Sequence, residues 1–290
     1  MLQSKRGVYL RKILAYIKII RPVNSIMMGL GVAFSEIIAL KSLPSIKTLL
    51  YGFSSGFFLT SASMIINDIY DREIDLINAP NRPIPSGLIS VKEAWIYGIL
   101  LISAGMISAY LINTYCFMIA LVSSLVSLTY NMRFKKYGLI GNFMVSFCVA
   151  MPFLFGNYAV FGKSILLNIF SLAAFLVNTG REIVKGIADV EGDEKRDVRS
   201  IARTYGTRAA VFVAIIFFII AIPVVFIPVI YSWVSFNYLL IIIFPVIGLL
   251  YESYKLLREC DVDSALKSKK RVLIYMFLAL IAILVGGYYE

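Results

Sequence analysis

Four polar residues that could serve one site fall within the stretch "NDIYDREID", which supplies Asn67, Asp68, Asp71 and Asp75. A second stretch, "DVEGDEKRD", places Asp189 and Asp193 one helical turn apart, with Glu191, Glu194 and Asp197 nearby. If the first stretch is helical, separations of three and seven residues at roughly 100° each put Asp68, Asp71 and Asp75 on one face. Like charges on one stripe repel and persist where something cationic sits against them, and oxygen ligands at this density suit hard Mg2+. Two such clusters facing one another can hold Mg2+ ions that bridge the oxygens of a diphosphate, acting as Lewis acid and template. The expected metal ligands are Asp68, Asp71, Asp189 and Asp193, and Asp75 completes the expected catalytic set.

Cations stand near both stretches. Arg72 and Arg82 flank the first, Arg133, Lys135 and Lys136 lie in "YNMRFKKYG", and Arg181 and Lys185 precede the second. Arg181, Glu182 and Lys185, ionisable residues still inside an apolar stretch, are functional candidates because burying a charge in lipid costs several kcal/mol. Arg72, Arg82, Arg133, Lys135, Arg181 and Lys185, with Asn67 and Tyr130, form the expected substrate-binding set. Glu194, Lys195, Arg196 and Asp197 read as solvated loop charges. The chain has no histidine, which excludes imidazole base chemistry and the usual zinc sites. Its three cysteines, Cys116, Cys148 and Cys260, are far apart and read as packing residues.

The elements that must position these groups follow from composition. Sixty per cent of the 290 residues are hydrophobic and only 16% charged, more apolar surface than a soluble fold of this size can hide. The apolar residues come in blocks long enough to cross a hydrocarbon layer of about 30 Å. Nine spans are expected, at about 22–40, 44–66, 93–112, 115–132, 139–161, 164–187, 207–230, 236–257 and 271–289. The predicted fold is an all-α membrane protein, a bundle of nine transmembrane helices with a central cavity open to the cytoplasmic side.

Net charge +11 would point to nucleic acid in a soluble protein, but its distribution argues otherwise. Of 28 Lys and Arg, only Lys41, Lys47 and Lys163 fall on the far side of this arrangement. That is the positive-inside pattern, with the N-terminus and both acidic clusters in the cytoplasm of a multi-pass protein of the cell membrane. Residues 1–21 read as a basic segment lying on the inner leaflet, not as a cleaved signal. No nucleic-acid partner is expected.

The whole chain, 1–290, reads as one intramembrane domain with an internal echo. Asp75 is followed by "RPIPSG" from Arg82, and Asp193 by "RSIARTYG" from Arg199, closing on Gly87 and Gly206. This points to a duplicated four-helix unit, 22–132 and 139–257, followed by a ninth span at 271–289.

With nine spans, "NDIYDREID", "YNMRFKK" and "DVEGD" in this order, the chain resembles the UbiA-type intramembrane prenyltransferases over essentially its whole length. The resemblance implies Mg2+-dependent transfer of a prenyl group from a prenyl diphosphate, and carries the metal and diphosphate roles to Asn67, Asp68, Asp71, Asp75, Asp189 and Asp193. The segments "INAPNRPIPSG" and "REIVKGIADVEGD" are most similar to archaeal members that make the second ether bond of membrane lipid. For this chain that implies geranylgeranyl diphosphate as donor and the hydroxyl of a lipid phosphate, geranylgeranylglyceryl phosphate, as acceptor. Gly186 departs from the family, standing where an acidic residue is expected. An aromatic quinone precursor or a porphyrin-type alcohol is the alternative acceptor. A nine-span transporter is a minor alternative, because the conspicuous acids lie at helix ends and only Glu36 sits well inside a span.

Overall fold

Several of the long apolar stretches begin where a polar side chain satisfies one of the first free N–H groups of a helix. Ser45 Oγ accepts from Thr48 N at 3.1 Å, Asn113 Oδ1 from Cys116 N at 2.8 Å and Asp261 Oδ1 from Ser264 N at 2.7 Å. Ser90 and Glu93 cap each other reciprocally. The computed structural model describes residues 2–195 and 197–287, and among these every regular element is helical. In chain order they are α1 (Leu2–Ile19), α2 (Pro22–Leu40), α3 (Ile46–Tyr70), α4 (Arg72–Asn78), α5 (Val91–Ile112), α6 (Thr114–Met132) and α7 (Leu139–Ala159). They continue with α8 (Ile165–Ala188), α9 (Val190–Lys195), α10 (Ile201–Tyr205), α11 (Thr207–Ile230), α12 (Phe236–Arg258) and α13 (Val262–Gly287). Arg196 and the end of the ninth expected span, 288–289, lie outside the described residues.

Eight helices, α2, α3, α5, α6, α7, α11, α12 and α13, are long and apolar enough to cross a membrane. Their outward faces carry exposed Leu100, Ile107, Leu125, Phe212, Phe244 and Ile274, a surface that only lipid solvates well. The chain is a multi-pass membrane protein. The remaining long helix, α8, has 24 residues, of which 14 are buried. It packs against α7, α11 and α13, so its Asn178, Thr179 and Glu182 are sheltered by protein and need no water.

Consecutive long helices pack side by side, from α2 against α3 round to α12 against α13, and α13 returns to α2. Small residues set the closest approaches. A Cβ on Gly156 of α7 would lie 2.7 Å from the Val32 carbonyl oxygen of α2, so those backbones meet only at glycine.

Two boundaries depart from the sequence expectation in ways that matter for the site. Helix α3 runs on to Tyr70, carrying Asn67 and Asp68 inside it. Helix α13 starts at Val262, nine residues before the apolar block, because Asp261 caps it and Lys267 pairs with Asp263 at 2.5 Å one turn away. Lys269 and Arg271 are therefore helical.

Candidate active site

At Asp71 helix α3 hands over to α4 with little change of direction. Asp71 has φ −87° and ψ −2°, its N–H bonds to the Asn67 carbonyl at 2.9 Å, and its own carbonyl accepts from Asp75 N at 2.9 Å. Asp68, Asp71 and Asp75 are thereby all buried, at 3%, 7% and 2% exposure. Three buried carboxylates require counter-charge. Arg21 Nη2 lies 2.6 Å from Asp68 Oδ1, Arg82 Nη1 lies 2.5 Å from Asp75 Oδ2 and 3.4 Å from Asp68 Oδ1, and Lys135 Nζ reaches Asp71 at 2.5 and 2.7 Å.

Each cation is delivered by a different device. Arg21 sits at the corner between α1 and Pro22 with φ 47° and ψ 70°, which turns its side chain back to the motif. Arg82 is presented by a compact turn in which Ser86 N bonds to Arg82 O, Ile89 N to Pro83 O, and Gly87 takes φ 74° that L side chains avoid. Lys135 belongs to a single 3-10 turn, Phe134–Lys136. That turn is tied to the connection after α9 by Arg199 N donating to Lys136 O at 2.9 Å, and Gly138 is obligatory because a Cβ there would collide with the Arg199 carbonyl. Asn67 Nδ2 donates to Asn131 Oδ1 at 2.9 Å, joining α3 to the end of α6.

The second acidic segment lies at the same end of the bundle. Asp189 closes α8, Asp193 is buried in α9, and α9 packs against α4, so the two motifs touch. Arg203 clasps this connection, donating to the carbonyl oxygen of Val198 at 3.1 Å and to Asp197 Oδ1 at 3.2 Å. Two turns back along α8, buried Glu182 receives Arg181 Nη1 on Oε1 at 2.8 Å and Lys185 Nζ on Oε2 at 2.9 Å. Tyr130 stands between the motifs, within the electrostatic field of Lys185, Glu182, Asp71 and Asp193.

Among the described residues no three potential ligands already converge as a metal-holding group. The donor chemistry nevertheless suits a hard divalent cation, since the facing segments offer only carboxylate oxygens and no thiol or imidazole.

Most of the residues expected from sequence are brought together: Asn67, Asp68, Asp71, Asp75, Arg82, Tyr130, Lys135, Arg181, Lys185, Asp189 and Asp193. Arg72 is not; its side chain is 51% exposed and pairs only loosely with Glu73, at 3.6 Å. Arg133 is exposed as well. Glu182, a candidate by its depth in the span, joins the cluster, and Arg21 and Lys269 belong to it without having been expected. Arg21 was masked by its place at a span boundary, and Lys269 by the assumption that the last helix starts later.

Beside the charged end lies an apolar cavity of about 120 Å³. It is enclosed by α2, α7, α8, α11, α12 and α13, with Met27, Phe153, Val177, Val246, Tyr275 and Ile283 in its wall. Val177 is one turn from Arg181.

A bundle of membrane helices with two facing acidic segments next to an apolar cavity is an arrangement for ionising a diphosphate ester in lipid. The chain matches the UbiA prenyltransferase family over residues 28–281 and belongs to it. It is 35% identical over 272 residues to the digeranylgeranylglyceryl phosphate synthase of Thermococcus sibiricus, covering 94% of this chain and 96% of that one. Against the enzyme of the same name from Methanocaldococcus jannaschii it is 35% identical over 284 residues, covering 97% and 99%. A solved structure of a digeranylgeranylglyceryl phosphate synthase in membranes superposes with TM-score 0.79 at 33% identity, over 97% of this chain and all of that one. A UbiA homolog from Archaeoglobus fulgidus bound to GPP and Mg2+ shares the fold, with TM-score 0.70, 20% identity and 93% and 99% coverage.

Proposed function

We propose that this prenyltransferase moves a geranylgeranyl group from geranylgeranyl diphosphate to the free hydroxyl of geranylgeranylglyceryl phosphate, forming the second ether bond of an archaeal membrane lipid. The observation that carries this reading is the packing of α4 against α9, which puts two acidic segments at one charged mouth beside an apolar cavity. Similarity to synthases of that name over nearly the whole chain supports the acceptor.

The reading includes nine spans, with α8 as the ninth, and the motif-bearing end in the cytoplasm of the cell membrane. The gathering of Lys and Arg at that end supports the orientation. A four-helix duplication is part of it as well: α2 on α3, α3 on α5 and α5 on α6 are matched by α7 on α8, α8 on α11 and α11 on α12, with α13 closing the ring.

Asp68 and Asp71 from one segment and Asp189 and Asp193 from the other would hold Mg2+. Bound there, Mg2+ supplies Lewis-acid stabilisation of the diphosphate leaving group. Arg82 and Lys135 exchange their aspartate partners for diphosphate oxygens, and donate more strongly as charge builds on the departing group. Asn67 and Tyr130 orient the diphosphate between the motifs. The apolar wall receives the prenyl tail and keeps water from the allylic cation. The bond from C1 to the diphosphate breaks, the ether bond to the acceptor oxygen forms, and the hydroxyl proton passes to Asp75 or to a diphosphate oxygen.

The test is a reconstituted assay with radiolabelled geranylgeranyl diphosphate and Mg2+, offering geranylgeranylglyceryl phosphate and 4-hydroxybenzoate in competition. A lipid-phosphate ether product that EDTA abolishes is expected. Prenylated benzoate would overturn the acceptor, and absence of any prenylated product would overturn the function.

A further inference from the structure

The two motifs differ in how their charges balance. At the first, Asp68, Asp71 and Asp75 face Arg21, Arg82 and Lys135 among the described residues. At the inner end of α8, with Asp189 committed to the metal as proposed above, the balance is positive. Glu182 is the remaining buried carboxylate on α8 among the described residues, and it is already divided between Arg181 on one oxygen and Lys185 on the other. Helix α13 adds a third cation. Arg181 Nε donates to the Lys269 carbonyl at 3.1 Å, which fixes this turn of α13 against α8. Lys269 lies in the field of Asp189, Lys185, Arg181 and Glu182, and its ammonium has no ion pair or side-chain hydrogen bond among the described residues.

This surplus sits at the edge of the apolar cavity. Val177, one turn from Arg181 along α8, and Tyr275, six residues beyond Lys269 on α13, both line its wall. A ligand held here has an anionic head and an apolar body. Two lysines and an arginine supply an excess that a singly charged carboxylate leaves unbalanced but a phosphate monoester, carrying about −1.5 to −2 charges at neutral pH, neutralises.

We propose that Arg181, Lys185 and Lys269 form a second anion subsite, separate from the three aspartate-paired cations, and that it holds the phosphate of the lipid acceptor. The proposal rests on the acceptor assigned above. Glu182 is its positioning residue, since one carboxylate sets the direction of both Arg181 and Lys185. Placing donor and acceptor anions on different cation sets, α3, α4 and the 3-10 turn for one and α8 with α13 for the other, keeps two highly charged groups from competing for one site.

Equilibrium binding to the purified, lipid-reconstituted protein tests this, using radiolabelled geranylgeranylglyceryl phosphate, its phosphate-free alcohol, and geranylgeranyl diphosphate with Mg2+. Lys269→Gln is expected to weaken binding of the lipid phosphate at least tenfold, leave the diphosphate within twofold, and leave the phosphate-free alcohol unchanged; Lys269→Arg is expected to recover most of the loss. Equal losses for donor and acceptor, or an unchanged affinity for the lipid phosphate, would overturn the subsite. Displacement of the lipid phosphate by excess phosphatidylglycerol, or by inorganic phosphate at equal concentration, would reassign the cluster to bulk headgroups or free phosphate and equally overturn it. A wild-type protein that shows the expected binding pattern but makes no ether product would sink the proposed function while supporting the subsite.

Discussion

Arg21 Nη2 and Asp68 Oδ1 meet at 2.6 Å across 47 residues of chain, and the same oxygen also faces Arg82 Nη1 at 3.4 Å. One buried carboxylate thus joins the corner between α1 and α2 to the loop after the first motif. Lys18 Nζ, donating to the Asn81 carbonyl at 3.2 Å, reinforces the same join.

Removing Arg21 leaves Asp68 with a more distant partner. Arg21→Ala is expected to destabilise the protein by about 2 kcal/mol, less than the 3–5 kcal/mol of a fully buried broken pair because the arginine side chain is 35% exposed. Arg21→Lys keeps the charge and recovers part of it. Thermal unfolding in detergent reads both, and an unchanged midpoint for Arg21→Ala would show that Arg82 alone suffices.

The cations near the first motif separate by what they touch. Lys135→Ala removes a cation that reaches both oxygens of Asp71 and is expected to lower kcat/KM more than tenfold, a loss above about 1.4 kcal/mol. Arg72→Ala, which removes a half-exposed guanidinium that lies 3.6 Å from Glu73, is expected to stay within twofold. Steady-state kinetics with varied geranylgeranyl diphosphate decide it, and equal losses would return Arg72 to the site.

Glu36 is fully buried in α2, with no hydrogen-bond partner for either carboxyl oxygen among the described residues, and the space for it is made by Gly52 of α3. A Cβ on Gly52 would collide with Glu36 Oε1 and lie 2.9 Å from Val32 Cγ1. Gly52→Ala is expected to cost about 1–3 kcal/mol by overpacking. Adding Glu36→Ala should return much of that, whereas Gly156→Ala, which meets the Val32 carbonyl of the backbone, has no such rescue. Unfolding midpoints of the single and double variants check the difference.

Glu252, fully buried on α12, faces Arg271 of α13, with Oε1 2.5 Å from Nε and Oε2 2.9 Å from Nη2. Glu252→Ala is expected to cost about 3 kcal/mol because it leaves the guanidinium partly buried and unpaired. The double variant with Arg271→Met is expected to cost less than the two singles combined. A double-mutant cycle on thermal stability measures the coupling, and additive losses would contradict it.

Much of this arrangement was legible in the residues. Apolar blocks give helices at nearly the observed bounds because lipid thickness fixes their length, and Asp68, Asp71 and Asp75 share a buried side because helical period fixes their direction. Arg21 escaped because its role depends on a corner whose dihedrals no local pattern announces. Lys269 escaped because the charged first turns of α13 look like loop by hydropathy, while the Asp261 cap makes them helix. Arg72 misled for the opposite reason: adjacency in sequence put it beside the aspartates, and one helical step turned it outward. Packing of α4 against α9 is a long-range contact that neither motif encodes by itself.

That contact is the central claim, and a rate measurement on three variants tests it most directly. If the two segments work as one site, Asp68→Ala and Asp189→Ala each lower turnover at least a hundredfold while the protein still folds, and the double variant loses little more than either single. Retention of more than about a tenth of the rate in both singles, or losses that simply multiply in the double, would contradict a shared site.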